Sequence, residues 1–310
     1  MAQAGTIRLG LVGIGKIARD QHLPALEADA RFVLAATASR HAQLDNIASY
    51  SDIDAMIAGV PDLDAVSLCT PPDGRFQQAA SAIAAGLHVM LEKPPAATLS
   101  EIAALEVLAR DKGVTLFTSW HSREAAGVAP ARDWLAGKRI AAVRITWRED
   151  IRRWHPGQEW ILGAGGFGVF DPGINALSIA TRILPEPLLL DSAWMEVPEG
   201  RASPLRAGLA MRSGDATVTA DFDFLQTGPQ TWDIEVDTDA GMLTLSMGGS
   251  ILQLPGEDAQ KAPDREYPRL YARFAELVAT GQSDVDVRPM QIVADAFLLG
   301  ERRTGESFSF

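Results

Sequence analysis

Through the first 120 residues, short apolar and β-branched runs alternate with longer stretches of mixed polarity. The runs are TIRLGLVGI (6–14), FVLAATAS (32–39), AVSLCT (65–70), HVMLEK (88–93) and TLFTSW (115–120). Between them, 16–29, 50–59, 74–86 and 99–113 have the spacing of helices. Strands that are apolar throughout are covered on both faces, and the alternation predicts βαβ units in a parallel sheet. Gly86 and Gly113 stand where helices should stop, just ahead of the next strand.

After about residue 123 the period changes. Apolar and polar residues alternate along 139–150, 188–197, 206–214, 216–224, 231–238 and 241–249. Ser213-Gly214-Asp215 and Asp239-Ala240-Gly241 provide tight turns between neighbouring runs. A helix from near Asp171 to about Leu184 precedes most of these strands, and helical patterns at 265–281 and 288–303 close the chain. The expectation is an α/β protein of two domains. Residues 1–123 form an N-terminal Rossmann domain with a doubly wound parallel sheet. Residues 124–310 form a C-terminal α/β domain with an open, mostly antiparallel sheet and a C-terminal helix able to pack back on the first domain. No long linker separates them, which predicts close packing around a cleft.

Composition narrows the chemistry. The 310 residues are 47% hydrophobic and 22% charged, ordinary for a globular chain. Forty acidic against 28 basic residues give a net charge of −12, which repels nucleic acid and anionic membrane. A phosphate site must therefore be local, made from main-chain N–H groups and a few basic side chains. No apolar stretch reaches the roughly 20 residues of a membrane span, and the first residues read as a strand. A cytoplasmic protein is expected, with neither nucleic acid nor membrane as partner. Cys69 is the single cysteine, a buried strand thiol on the plainest reading. No His/Cys/Asp spacing suits a metal.

GIGKIA (13–18) fits G-x-G-x-x-G/A directly after a strand and at the start of a helical pattern. Gly13 and Gly15 permit a tight turn and close approach of a pyrophosphate, Lys16 and Ile17 open the helix, and Ala18 allows the helix to lie close to the strand. An ordinary Gly-rich turn is the alternative. About 20 residues on, where NAD-preferring folds carry an acid for the ribose 2′-OH, the chain has Ser39-Arg40-His41. Arginine beside a hydroxyl attracts a 2′-phosphate, so NADP is expected as the preferred cofactor, with NAD second; a solvated basic turn is the other reading. The third strand ends in Cys69-Thr70-Pro71-Pro72 and the fourth in Glu92-Lys93-Pro94-Pro95. Ligands bind at such strand ends, which places Lys93 well, although a strand-end lysine by itself is usually solvated.

The run FDPGIN (170–175) is ambiguous. Asp171 followed by Pro172 suits a helix N-cap, while Asp171 and Asn175, four apart, would share a helix face and could point at one ligand. Contacts to a small polar ligand use planar polar groups and aromatic faces. His121 at the end of the last strand of the first domain, Trp154 in the run Arg152-Arg153-Trp154-His155, and Trp232 are candidates. A structural histidine and a core tryptophan are the competing readings of His121 and Trp232.

Together, GIGKIA, SLCTPP, HVMLEKP and FDPGIN resemble the glucose–fructose oxidoreductase/inositol dehydrogenase (Gfo/Idh/MocA) family, and the likeness spans nearly the whole chain. RRWHPGQEWI (152–161), FDPGINALSI (170–179) and SDVDVRPMQIVADAF (283–297) resemble its branch that oxidises C1 of L-arabinose or D-galactose to a lactone. The resemblance implies an aldose as substrate, Lys93 as the catalytic lysine and Asp171 as the helix-start acid. It also implies substrate binding and oligomerisation for residues 124–310, with a homodimer or homotetramer formed through the C-terminal sheet. Where the family commonly has histidine four residues after that acid, this chain has Asn175, which exchanges no proton at neutral pH. Asp171 is then the expected base, Lys93 the group positioning the O1 hydroxyl, and Asn175 a neutral hydrogen-bond partner. An inositol or other sugar-alcohol dehydrogenase of the same family, or a non-catalytic NADP-binding sensor, are the alternatives.

Overall fold

The computed structural model describes residues 5–310. The chain divides into two compact units, one running up to Trp120 and including Tyr267–Val287, the other made of His121–Glu266 and Arg288–Phe310. The first unit is thus built from two stretches of chain.

Its sheet contains β1 (Ile7–Val12), β2 (Phe32–Ala38), β3 (Ala48–Tyr50), β4 (Ala65–Leu68), β5 (His88–Glu92) and β6 (Leu116–Ser119), in the order β3-β2-β1-β4-β5-β6 and parallel throughout. The order reverses beside β1, so the carboxyl ends of β1 and β4 flank the switch point at which such sheets bind ligands. One face is closed by the helices Ile53–Gly59, Arg75–Ala84 and Leu99–Lys112, through a core that includes Met56, Ile83 and Leu105. On the other, Tyr267, Leu270, Tyr271 and Phe274 of the helix Glu266–Thr280 pack with Leu9, Leu11 and Phe32. Two cores, one per face, explain the uninterrupted apolar runs. Residues 48–50, which the sequence pattern left partly in a helix at 50–59, form the short edge strand β3. The helix begins only at Ile53, where Asp52 accepts the N–H of Ala55.

The second unit carries a nine-stranded mixed sheet. Its strands are β7 (Ile140–Arg148), β8 (Leu188–Pro198), β9 (Arg206–Ser213), β10 (Ala216–Asp223), β11 (Thr231–Thr238), β12 (Gly241–Ser246), β13 (Ile251–Gln253), β14 (Gln260–Lys261) and β15 (Glu301–Gly305). The order is β14-β13-β12-β11-β7-β10-β9-β8-β15. Only β7–β10 and β8–β15 pair in parallel; the rest is antiparallel. Burial alternates residue by residue along β10, so one face meets the helices and the other is open. The helical pattern at 288–303 ends early: the helix stops at Leu299, and residues 301–305 form the edge strand β15 alongside Trp194–Pro198. Its Glu-Arg-Arg sequence is the charged kind that blunts a sheet edge. No helix among the described residues is long and apolar enough to cross a membrane.

Candidate active site

The cofactor side of the first unit follows from its backbone. Gly13 has φ +87°, and a Cβ there would lie 2.9 Å from the main-chain nitrogen of Thr70, so only glycine fits. Beside Gly15 the space is open, with nothing within 4 Å of a Cβ position. A turn that must be glycine, opening onto a helix start whose first N–H groups lack partners along the helix, fits a dinucleotide pyrophosphate. That helix is π-wound over Ala18–His22 before continuing as Leu23–Glu27. Pro24 has no N–H for the carbonyl one turn back, and the ladder widens just ahead of it.

The other expected cofactor residues are distributed around this turn. Lys16 pairs with Asp20 on its own helix and Ile17 packs on the core, which leaves their main chain for the turn. Ser39 follows β2 directly; its N–H donates to Tyr50 O, and its hydroxyl accepts the N–H of His41 at 3.5 Å. Arg40 is exposed and makes no ion pair among the described residues. Cys69 lies one residue beyond β4 and is only half-buried, so it is not the interior strand thiol its apolar run suggests. Its N–H donates to Val12 O, while Thr70 Oγ1 bonds Gln78 and Pro71 and Pro72 end the strand.

At the end of β5, Glu92 turns its carboxyl into the unit. Oε2 accepts the main-chain N–H of Lys93 at 2.7 Å, and Oε1 accepts the Tyr267 hydroxyl at 2.6 Å and lies 3.2 Å from His22 Nε2. Glu92 thereby fixes the main chain at the start of Lys93. His22 Nδ1 meets Tyr271 Oη at 2.8 Å. Burial alone would discharge this imidazole; charge on Cys69 and Tyr271 and the hydrogen bonds to Cys69 and Glu92 oppose it, and the ring is held well above its ordinary range. Tyr271 is pushed up, first by burial. Beneath the same strand ends, the buried guanidinium of Arg75 donates to the carbonyls of Glu92, Pro94 and Thr70. The Lys93–Pro94 peptide is cis.

The second unit presents the other chemical groups. The helix Phe170–Ile183 starts two residues earlier than an Asp171 cap would require: Val169 is its N-cap, with no side-chain capping bond. Gly168, at φ +55° and with Pro204 O against any Cβ, turns the chain into the helix ahead of Asp171. The N-cap reading of Asp171 is therefore wrong. Its carboxyl lies inside the first turn, 3% exposed, where the helix dipole favours an anion, and Asn175 follows on the same face, half-buried.

Trp154 closes a one-turn helix, Ile151–Trp154, capped by Asp150. It is no isolated loop aromatic, because it packs on Trp232 at 5.2 Å, and Trp232 stacks on Trp147 at 5.9 Å. Trp232 Nε1 donates to the buried carboxyl of Glu149 at 2.9 Å. The next residue, His155, sits with Nε2 3.7 Å from Glu149 Oε1 and 3.8 Å from Asp171 Oδ2. His121 lies in a short 3₁₀ turn after β6, with Nδ1 against Glu266 at 2.6 Å. Sequence reasoning named His155 only as part of the run Arg152–His155 and did not single out His22, Arg75, Glu149, Tyr267 or Tyr271. Of these only Arg75 left a signal, as a cation in the first turn of a helix, where the dipole disfavours it. No group of three His, Cys, Asp or Glu side chains among the described residues is arranged to hold a metal.

A parallel sheet in this order, with a first crossover turn that only glycine can make, defines a dinucleotide-binding Rossmann fold. Residues 7–119 match the oxidoreductase family with an NAD-binding Rossmann fold, Gfo/Idh/MocA. The chain belongs to that family. It is 42% identical to galactose 1-dehydrogenase of Pseudomonas fluorescens across 97% of this chain and 98% of that one. The crystal structure of a D-galactose-1-dehydrogenase protein from Rhizobium etli superposes with a TM-score of 0.95 at 51% identity, covering all of both chains. A 3-ketoreductase from Actinomadura kijaniata, solved with NADP and TDP-benzene, shares the fold at 19% identity and a TM-score of 0.85, over 97% of this chain and all of that one.

Proposed function

We propose that the chain is an aldose 1-dehydrogenase that oxidises C1 of D-galactose, L-arabinose or both to the lactone, with NADP preferred over NAD. The observation that carries this reading is Asp171, a carboxyl buried in the first turn of a helix whose capping it does not perform. A buried acid with no capping role is a natural proton acceptor. The galactose 1-dehydrogenase names of the two full-length relatives support the substrate class, and exposed Arg40 next to Ser39 supports the 2′-phosphate.

The nicotinamide, when bound, accepts the hydride from C1. Gly13, Gly15 and the helix start hold the pyrophosphate, and Ser39, Arg40 and His41 receive the 2′-phosphate. Thr70, Pro71 and Pro72 shape the edge at which the nicotinamide ribose lies. Lys93 supplies positive charge to the C1 hydroxyl oxygen while Asp171 takes its proton. Asn175, unable to exchange a proton, donates or accepts a hydrogen bond and fixes the sugar's orientation. His121, Trp154 and Trp232 supply a planar polar edge and aromatic faces for the pyranose.

The test is initial-rate reduction of NADP⁺ and NAD⁺ against a panel of aldoses and inositols, with Asp171→Ala in parallel. The expected outcome is turnover on D-galactose or L-arabinose that falls by about 10²–10⁴-fold in the variant. Turnover only on inositols would overturn the substrate. Cofactor binding with silence on every sugar would mark a sensor instead.

A further inference from the structure

The family residue missing at position 175 has a spatial counterpart elsewhere in the second unit. His155, at the end of the turn Ile151–Trp154, points one nitrogen at two buried carboxyls. Nε2 lies 3.8 Å from Asp171 Oδ2 and 3.7 Å from Glu149 Oε1. Each distance is longer than a hydrogen bond but within the reach that catalytic contacts close when substrate is bound. We propose that His155 draws the substrate proton off Asp171 and that Glu149 holds the resulting imidazolium. This rests on the reading of Asp171 as the base.

Placement of the three groups follows from three elements. Glu149 comes directly after β7, its N–H donating to Asp223 O, and its Oε2 is fixed by the indole of Trp232 at 2.9 Å. That leaves Oε1 toward the imidazole. The ring packs edge-on against Phe224, with centroids 5.5 Å apart, which sets its plane. Its main-chain N–H donates to Ile151 O at 2.8 Å. The charged groups facing the ring from neighbouring elements are the two carboxyls. On its own turn, Arg152 lies over Phe308 and within 3.8 Å of Asp150, and Arg153 lies over Trp154.

The step balances as follows. The C1–H bond breaks and its electron pair leaves as hydride to the oxidised nicotinamide, so the sugar is oxidised and the cofactor reduced. The O–H bond of the same carbon breaks, its electrons closing the new C=O of the lactone, and the proton passes to Asp171. From Asp171 it moves to Nε2 of a His155 that begins with its proton on Nδ1. The imidazolium, paired with Glu149, returns the Nδ1 proton to water, to which the side chain is 19% exposed. Asp171 is then ionised again for the next turnover. His155 acts through Asp171 and is a positioning residue by role.

The experiment uses the full chain. His155→Gln keeps a planar polar group that cannot pass a proton. Its kcat on the best aldose should fall by roughly 10–100-fold with KM within about threefold of the parent, and the acid limb of its kcat–pH profile should be displaced. In His155→Ala, free imidazole should restore a large part of the lost kcat. In the unliganded parent, assignable because the chain has five histidines, the His155 ring resonances should shift in Asp171→Asn and in Glu149→Gln. A kcat for His155→Gln close to the parent's, or a loss that imidazole does not restore and that KM shares, would overturn the relay. If Asp171→Ala itself keeps turnover, the base assignment fails and the relay falls with it. If Asp171→Ala is inactive while His155→Gln is not, the relay alone is wrong.

Discussion

Glu92 and Asp171 are both 3% exposed, and the two units use these buried acids in opposite ways. Glu92 is tied by a phenol, a main-chain N–H and an imidazole at 2.6–3.2 Å. A carboxyl with its oxygens so committed fixes where Lys93 begins. Within the second unit, Asp171 faces the His155 ring at 3.8 Å, the gap across which the proposed relay would pass its proton. The first unit makes a rigid frame from buried polar groups, and the second sets an acid beside an imidazole, where the proposed relay needs it.

The frame is where a break should cost most. Arg75 is 2% exposed, and its guanidinium reaches three main-chain carbonyls across the ends of β4 and β5. Arg75→Met keeps the volume but leaves those acceptors unmet, each at about 1–3 kcal/mol. Stability should drop by at least about 3 kcal/mol, and cofactor binding should weaken because the Thr70 and Lys93 segments lose their common brace. Thermal denaturation and cofactor titration measure the two effects. A variant as stable as the parent would show that the frame is not held by Arg75.

How much of this the sequence carried follows from the range of each constraint. The Gly13 turn, the proline-terminated strand ends and the alternation of β9 to β12 are local backbone demands, so they leave glycine, proline and period-two patterns in the chain. The brace and the frame are contacts over 17 residues from Arg75 to Glu92, 70 from His22 to Glu92 and 175 from Glu92 to Tyr267. Nothing near any of these residues announces its partner. Asp171 was legible as important but misread locally, because a helix start is fixed by the entry angle at Gly168 rather than by the first acid beside a proline. β15 escaped because five residues with three charges carry no strand period, and only pairing with β8 makes them one.

A smaller effect tests the first unit's edge rather than its interior. Arg40 is exposed and stands directly after Ser39 at the end of β2, so its replacement should leave stability nearly unchanged. Charge-assisted bonds to a phosphate contribute about 1.5–3 kcal/mol. Arg40→Asp should therefore lower kcat/KM for NADP⁺ relative to NAD⁺ by roughly 10–100-fold, with the sugar KM unaffected. An unchanged ratio would make the Ser39-Arg40-His41 turn a solvated one.

The smallest effect on stability should come from the acid cluster, and that is what sharpens the contrast. Glu149→Gln preserves shape, and its amide oxygen still accepts the N–H of Trp232 at the position now 2.9 Å away. Removing the charge also relieves the repulsion between two carboxylates that share one imidazole, and Asp171 remains beside the ring. The change in stability should stay within about 1 kcal/mol, against at least threefold that for Arg75→Met, in parallel chemical denaturation of the two variants. If Glu149→Gln proves as destabilising as Arg75→Met, the second unit's acids are scaffolding too, and the division of labour between a fixed Glu92 and an Asp171 proposed to pass a proton does not hold.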